Sequence, residues 1–315
     1  MENCEQIIAN AGILPVINIP AVELAKPLAL SILNGGISAM EVTLRSECSL
    51  DAIQAIKKDV SGMVVGAGTV LSINSVEKAI AAGADYIVTP GYDDEIVDYC
   101  IEKGIAVFPG CSTPTEIQHA AKKGLKALKF FPSELSGGNA AIKLLSGPFQ
   151  DIKFLPTGGI TFSNLADYMS NKSVIACGGS FMATSAQVKN QKFDEITAAC
   201  KKAIQISLGF DLSNVYFNSK SDDEAKNLKN IAALLDDSIK NILDLSVDGK
   251  INPDCCDERG CIELSTNSVS RAIAWFKRNN IDVRYEDSKT NGKEAPISIY
   301  SKERIKGFTL RVVEI

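Results

Sequence analysis

One lysine, Lys129, stands in the middle of an apolar segment with the sequence ALKFFP at 127–132. Lysine is almost never fully buried without a partner or a function, and burial disfavours its charged ammonium form. A neutral amine is a nucleophile that can form a Schiff base with a carbonyl substrate. The alternative interpretation is an edge-strand lysine whose alkyl stem packs while its amine reaches water.

A second polar pattern lies in the sequence EVTLR at 41–45. Side chains alternate along a strand, so Glu41, Thr43 and Arg45 are predicted to share one face. Inside a barrel such a stripe is costly unless its members are paired or used. A structural pair between Glu41 and Arg45 is one interpretation. The other combines an interior glutamate, which shuttles protons, with an interior Lys129, which supplies the amine.

Two glycine pairs indicate an anion site. The segments TGGI (157–160) and GGS (178–180) each end an apolar run and precede a helical stretch. Glycines there let backbone N–H groups approach an anion, with a helix N-terminus behind them. If the fold is a barrel, these are the loops after strands seven and eight, where phosphate usually binds. The alternative is a pair of tight turns with no ligand.

The elements that must position these residues are short apolar runs, each followed by a helical stretch. The runs lie at 13–19, 37–44, 63–69, 86–90, 105–111, 127–132, 153–159 and 173–179. They are nearly continuous in hydrophobicity, as expected of parallel strands buried on both faces. Eight strands alternating with helices predict an α/β fold, a (β/α)8 TIM barrel over 1–208, with its active site at the C-terminal strand ends. A doubly wound sheet is the alternative, weakened because no GxGxxG follows a strand.

The sequence changes character after residue 208. Residues 212–315 contain strand-like segments and two helical segments, at 221–235 and 268–280. The order resembles a βαβββ unit written twice. We therefore predict a smaller α+β domain at 212–315.

Bulk composition narrows the function further. The chain of 315 residues is 45% apolar and carries a net charge of −5, without a basic block. This argues against nucleic acid or an anionic membrane as a partner. No run approaches the roughly 20 apolar residues of a membrane span, and the first residues lack the basic region of a signal peptide. Nine cysteines, most in apolar contexts, favour a reducing cytoplasmic setting. With a single histidine, His119, no metal site and no cofactor are predicted.

Taken together, the motifs resemble 2-keto-3-deoxy-6-phosphogluconate/4-hydroxy-2-oxoglutarate aldolase, a class I pyruvate aldolase. The resemblance covers about residues 1–208 and follows the family's order. It rests on EVTLR (41–45), GAGTV (66–70), TPG (89–91), FPG (108–110), LKFFPSE (128–134), SGPF (146–149), PTGGI (156–160) and GGS (178–180). The resemblance implies a homotrimeric (β/α)8 enzyme that acts on a small 2-keto acid.

It also implies the roles of individual residues. Lys129 becomes the Schiff-base lysine and Glu41 the general acid/base. The residues implied to hold or line the substrate are Arg45, Thr69, Pro90, Phe131, Thr157, Gly158, Gly159, Gly179 and Ser180. Arg45 and Thr69 would take the carboxylate, and the glycines with Ser180 the phosphate. At the end of the first strand, where family members often carry an arginine, this chain has Asn18. The difference removes a cation from the phosphate end of the site.

The segment 212–315 is similar to the glyoxalase/vicinal-oxygen-chelate fold but lacks the histidines that would hold its metal. It is interpreted as a metal-free interaction or regulatory module. Two other functions compete with the aldolase. One is a non-catalytic keto-acid sensor with this segment as its output, and the other is a different phosphate-binding barrel such as an isomerase. Neither needs both Lys129 and Glu41.

Overall fold

The computed structural model describes residues 4–217, 243–244, 260–285, 298–305 and 308–315. The chain divides into two compact units, Met1–Ser207 and Leu208–Ile315. Among the described residues, no helix combines the length and the apolar character that crossing a bilayer requires.

The first unit alternates parallel strands with helices, as the apolar runs predict. Its strands are β1 (Ile13–Ile17), β2 (Ala39–Thr43), β3 (Val64–Gly68), β4 (Tyr86–Val88), β5 (Ala106–Phe108), β6 (Gly110–Cys111), β7 (Ala127–Phe130), β8 (Lys153–Pro156) and β9 (Cys177–Gly179). Its helices are α1 (Cys4–Ala11), α2 (Ala25–Asn34), α3 (Ser49–Asp59), α4 (Ile73–Ala81), α5 (Asp94–Glu102), α6 (Pro114–Lys122), α7 (Gly138–Leu145), α8 (Leu165–Met169), α9 (Ser185–Lys189) and α10 (Phe193–Leu208). Short 3-10 turns occupy Val22–Leu24 and Glu134–Ser136.

The strands pair in two groups. Six form one sheet in the order β5-β4-β3-β2-β1-β9, and three form another in the order β6-β7-β8. Only Pro109 separates β5 from β6, and isolated parallel bridges join Phe154 to Val174 and Thr157 to Gly178. Each predicted apolar run therefore contains a strand with parallel partners, and most of the strand residues are buried.

Local chemistry explains where the helices begin. Thr113 caps α6, and its hydroxyl accepts a hydrogen bond from the N–H of Glu116 at 3.4 Å. The Glu116 carboxylate accepts in return from the Thr113 N–H at 2.9 Å, and Pro114 occupies the first helical position. This reciprocal capping box fixes the start of α6. At α4 the cap is Ser72, whose side chain accepts a hydrogen bond from the N–H of Ser75.

The second unit contains one described mixed sheet of six strands in the order β11-β10-β12-β15-β14-β13. Its elements are β10 (Asp211–Phe217), β11 (Leu243–Asp244), β12 (Gly260–Thr266), α11 (Val269–Arg278), β13 (Val283–Tyr285), β14 (Ser298–Ile305) and β15 (Phe308–Glu314). The described part of this unit thus contains both strands and a helix. The helix predicted at 221–235 lies outside the described residues, so the double βαβββ repeat stays a prediction.

Candidate active site

The centre of the site is a contact between a buried lysine and a buried glutamate. Lys129 on β7 is 5% exposed and Glu41 on β2 is 1% exposed. The Lys129 Nζ atom lies 3.2 Å from Glu41 Oε1 and 3.5 Å from Oε2. These residues are 88 positions apart in the chain. This contact excludes both alternatives. Lys129 is buried rather than an edge-strand lysine that reaches water, and Glu41 pairs with Lys129 rather than with Arg45.

Gly68, the last residue of β3, makes the room for the Glu41 carboxylate. A Cβ atom at residue 68 would lie only 2.0 Å from Glu41 Oε1 and 2.6 Å from its Cδ and Cγ. Thr43 and Gly68 are register partners on adjacent strands. The backbone of β3 can therefore approach the acid only because residue 68 has no side chain.

The stripe of residues 41, 43 and 45 is shorter than predicted. Strand β2 ends at Thr43, whose hydroxyl donates to the Ile17 carbonyl oxygen at 3.2 Å. Arg45 lies in the turn beyond the strand and is exposed. The two-residue period therefore does not carry Arg45 onto the strand face with Glu41. Its guanidinium belongs to the rim of the site, where a soluble anion can reach it.

Two further predicted residues lie at strand ends. Thr69, directly after β3, is half-buried and adopts φ 59°. A positive φ is unusual for a β-branched residue and is found where function or packing holds the backbone in place. Pro90 is also half-buried, and a Cβ at Gly110 would lie 2.1 Å from the Pro90 carbonyl oxygen. Pro90, just beyond the end of β4, thus lies close to the start of β6.

The glycine turn after β8 has a left-handed backbone. Gly158 and Gly159 adopt φ 97° and 83°, in the left-handed region that favours glycine. Thr157 beside them is buried, while Ser180 is exposed. Among the hydrogen bonds of the described residues, none is donated by the backbone N–H of Gly158, Gly159 or Ser180. These donors are free to bind an external acceptor.

A cavity of about 270 Å³ opens beside these turns. Of the predicted site residues it is lined by Arg45, Phe131, Thr157, Gly158, Gly159, Gly179 and Ser180. Lys129 connects to it through Phe131, since its Nζ lies 5.4 Å from the centre of the Phe131 ring. Among the described residues, the lining does not include Lys129, Glu41, Thr69 or Pro90. The Lys129 amine is thus near a lining residue of the cavity without lining the cavity itself.

Sequence reasoning missed some of the residues that line this cavity. It did not single out Val16, Ile160 or Ser185, whereas Asn18 and Thr43, which also line the cavity, were named from the sequence. Thr43 carried a signal, because it stands between Glu41 and Arg45 in the motif. Gly68 carried one too, as the second glycine of GAGTV. Nothing in the sequence singled out Ser185, which reaches the cavity from the start of α9.

A parallel α/β fold that buries a lysine against a carboxylate has the residues that a Schiff-base aldolase, a carbon–carbon lyase, requires. The model of the family "KDPG and KHG aldolase" matches residues 4–199. The chain belongs to this family.

Individual relatives agree. The chain is 40% identical over 201 residues to the 2-dehydro-3-deoxy-phosphogluconate aldolase of Treponema pallidum, covering 64% of this chain and 96% of that protein. It is 38% identical over 203 residues to the KHG/KDPG aldolase of Escherichia coli K12, covering 64% and 95%. A crystal structure of KDPG aldolase from Legionella pneumophila, with pyruvate captured as a covalent carbinolamine intermediate, is similar at a TM-score of 0.62. It shares 32% identity and covers 63% of this chain and 97% of that one.

Proposed function

We propose that the chain reversibly cleaves 2-keto-3-deoxy-6-phosphogluconate, 4-hydroxy-2-oxoglutarate or both into pyruvate and an aldehyde, through a Schiff base on Lys129. The observation that carries the proposal is the 3.2 Å contact between Lys129 and Glu41, both buried. A relative captured with pyruvate as a carbinolamine supports the same covalent chemistry.

The reaction follows from this contact. Glu41 accepts a proton from the Lys129 ammonium, and the amine attacks the C2 carbonyl carbon of the keto acid to form a carbinolamine. Glu41 returns its proton to the carbinolamine hydroxyl, which leaves as water, so that Glu41 is again a carboxylate and a positively charged iminium remains as the electron sink. Glu41, acting through water, removes the C4 hydroxyl proton, and the C3–C4 bond breaks. Its electrons move into the iminium to give an enamine while the aldehyde leaves. Protonation at C3 and hydrolysis then release pyruvate and restore the lysine.

The remaining residues bind the two ends of the substrate. Arg45 and Thr69 hold the pyruvoyl carboxylate, and Pro90 and Phe131 line the pocket around the keto carbon. Thr157 and Gly179 lie at the phosphate, and the free N–H groups of Gly158, Gly159 and Ser180 donate hydrogen bonds to its oxygens. Left-handed backbone at the turn, free donors and the adjoining cavity support this assignment. Asn18 supplies no charge, so the phosphate end depends on neutral donors.

We also infer the architecture around the site. The strands close into a (β/α)8 barrel over 1–208, supported by parallel pairing on both sides of Pro109 and by the bridge from Thr157 to Gly178. A homotrimer in the cytoplasm is proposed from the resemblance to the family. The segment 212–315 is proposed as a metal-free, glyoxalase-like accessory module. The mixed sheet and helix α11 in its described part are compatible with this proposal. No observation favours the keto-acid sensor.

Reduction with borohydride in the presence of pyruvate tests the mechanism. The digest should carry the label on Lys129, and Lys129→Ala should remain folded while losing both label and cleavage. Lys126→Ala is the matched control, because that lysine side chain is 60% exposed. A label on Lys126, or no label, contradicts the proposal.

A further inference from the structure

The segment that follows Lys129 is bonded to the glycine turn after β8. The N–H of Ser133 donates to the Thr157 carbonyl oxygen at 2.8 Å, and the N–H of Glu134 donates to the Gly158 oxygen at 3.1 Å. Two successive residues of one loop thus hold two successive residues of the other. The loop that carries the proposed phosphate donors is therefore fixed to the strand that carries the lysine.

The hydroxyl of Tyr168, on α8, joins the same two residues through their side chains. It lies 2.9 Å from Ser133 Oγ and donates to Glu134 Oε1. Ser133 is fully buried and Tyr168 is 1% exposed. Burial raises the pKa of Tyr168, and the hydrogen bond to Glu134 raises it further. The hydroxyl consequently stays protonated and remains a donor.

Packing makes the connection rigid. A Cβ at Gly159 would lie 2.4 Å from Glu134 Cγ, and a Cβ at Gly158 would lie 3.4 Å from the Phe131 ring. The turn therefore rests its two glycines directly on the loop that leaves β7. A change in the position of Glu134 must be transmitted to Gly159, because no side chain separates them.

From these contacts we propose that Tyr168 is a positioning residue that holds the Gly158–Gly159 turn at a fixed place relative to Lys129 and so selects the phosphorylated substrate. This inference rests on the proposed function. A merely structural tyrosine would affect every substrate alike, whereas a residue that positions the turn affects only substrates that use the turn.

The test is the Tyr168→Phe variant, which removes the hydroxyl and keeps the ring. Aldol cleavage is measured with 2-keto-3-deoxy-6-phosphogluconate and with 4-hydroxy-2-oxoglutarate. The KM for the phosphorylated acid should rise roughly tenfold, the effect of losing one or two hydrogen bonds, while the KM for the unphosphorylated acid stays unchanged. Tyr99→Phe is the matched control, since the Tyr99 hydroxyl donates to Glu77 Oε1 at 3.0 Å outside the site.

Equal effects on both substrates, or no effect on either, overturn the inference. So does a wild-type enzyme that cleaves only the unphosphorylated acid. If Tyr168→Phe fails to fold, Ser133→Ala removes the other hydroxyl of the contact, and the same selective rise in KM is expected. Borohydride trapping of pyruvate on the wild-type protein distinguishes a failure of the proposed function from a failure of the inference about Tyr168. A wild type that forms no adduct refutes the proposed function, and normal trapping with an unselective variant refutes the role of Tyr168 alone.

Discussion

Replacing Gly68 by alanine should displace Glu41, the proposed proton-transfer residue, without changing Glu41 itself. The new Cβ would stand 2.0 Å from Glu41 Oε1, whereas ordinary contact begins at 3.4 Å. The carboxylate oxygen must therefore retreat by about 1.4 Å, and Cδ and Cγ at 2.6 Å must move with it. Glu41 is 1% exposed, so little free space is available for that movement. Residue 68 lies in a strand, and alanine can adopt this backbone conformation without strain.

A displacement of this size has a predictable effect on catalysis. A misplacement of about 1 Å can cost about 10²-fold in rate, and general acid–base catalysis as a whole supplies about 10²–10⁴-fold. We expect kcat of Gly68→Ala to fall about a hundredfold while pyruvate is still trapped on Lys129. Release of pyruvate, followed with a coupled dehydrogenase, measures kcat, and circular dichroism checks the fold. Gly147→Ala is the control, because its Cβ would make only an ordinary contact at 3.4 Å. Unchanged turnover in a folded Gly68→Ala protein would refute the reasoning.

Three further outcomes are expected. Glu41→Gln keeps the shape of the side chain but removes its basicity, so kcat should fall about 10²–10⁴-fold while slow adduct formation persists; near-normal turnover in steady-state assays would leave Glu41 a structural role only. Burial raises the pKa of Cys111 and of Cys200 to about 12, so mass spectrometry after iodoacetamide treatment of the native protein at pH 8 should find both unlabelled, and modification in urea should label them. A chain ending after Leu208 keeps every proposed site residue and should fold and retain aldol cleavage; a folded but inactive fragment would show that 212–315 contributes to activity.

The strands were predictable because burial on both faces leaves a continuous apolar run. Runs such as 63–69 and 127–132 contain β3 and β7 and differ from them only at their ends. The ends are less predictable because the last residues of each run leave the ladder to form the site. Arg45 is the instructive error, since the two-residue period was extended past the point where β2 stops at Thr43. Helix α1 was not predicted.

The pairing of Lys129 with Glu41 could be anticipated as complementary chemistry, but its geometry could not. Residue types show that an interior amine needs a partner. Only the register of the strands shows that Glu41 rather than Arg45 reaches the Lys129 amine. It also shows that Gly68 leaves the space for the Glu41 carboxylate. The contact between Tyr168 and Glu134 could not be predicted from the sequence for the same reason, because it joins helix α8 to a turn 34 positions away in the chain. The residue roles in substrate binding remain predictions.

The contact between Lys129 and Glu41 also limits how much the site must rearrange during turnover. In the resting site the Lys129 Nζ lies 3.2 Å from a carboxylate oxygen of Glu41. The proposed mechanism places the positive charge of an iminium on the same nitrogen. The Glu41 carboxylate would then lie beside that charge without a rearrangement of the site. Dipoles and charges that are already oriented need no reorganisation as charge develops, and such preorganisation is the main electrostatic advantage of an enzyme over water. The carboxylate that lies beside this buried lysine in the resting site is thus already in place for the iminium of the proposed mechanism.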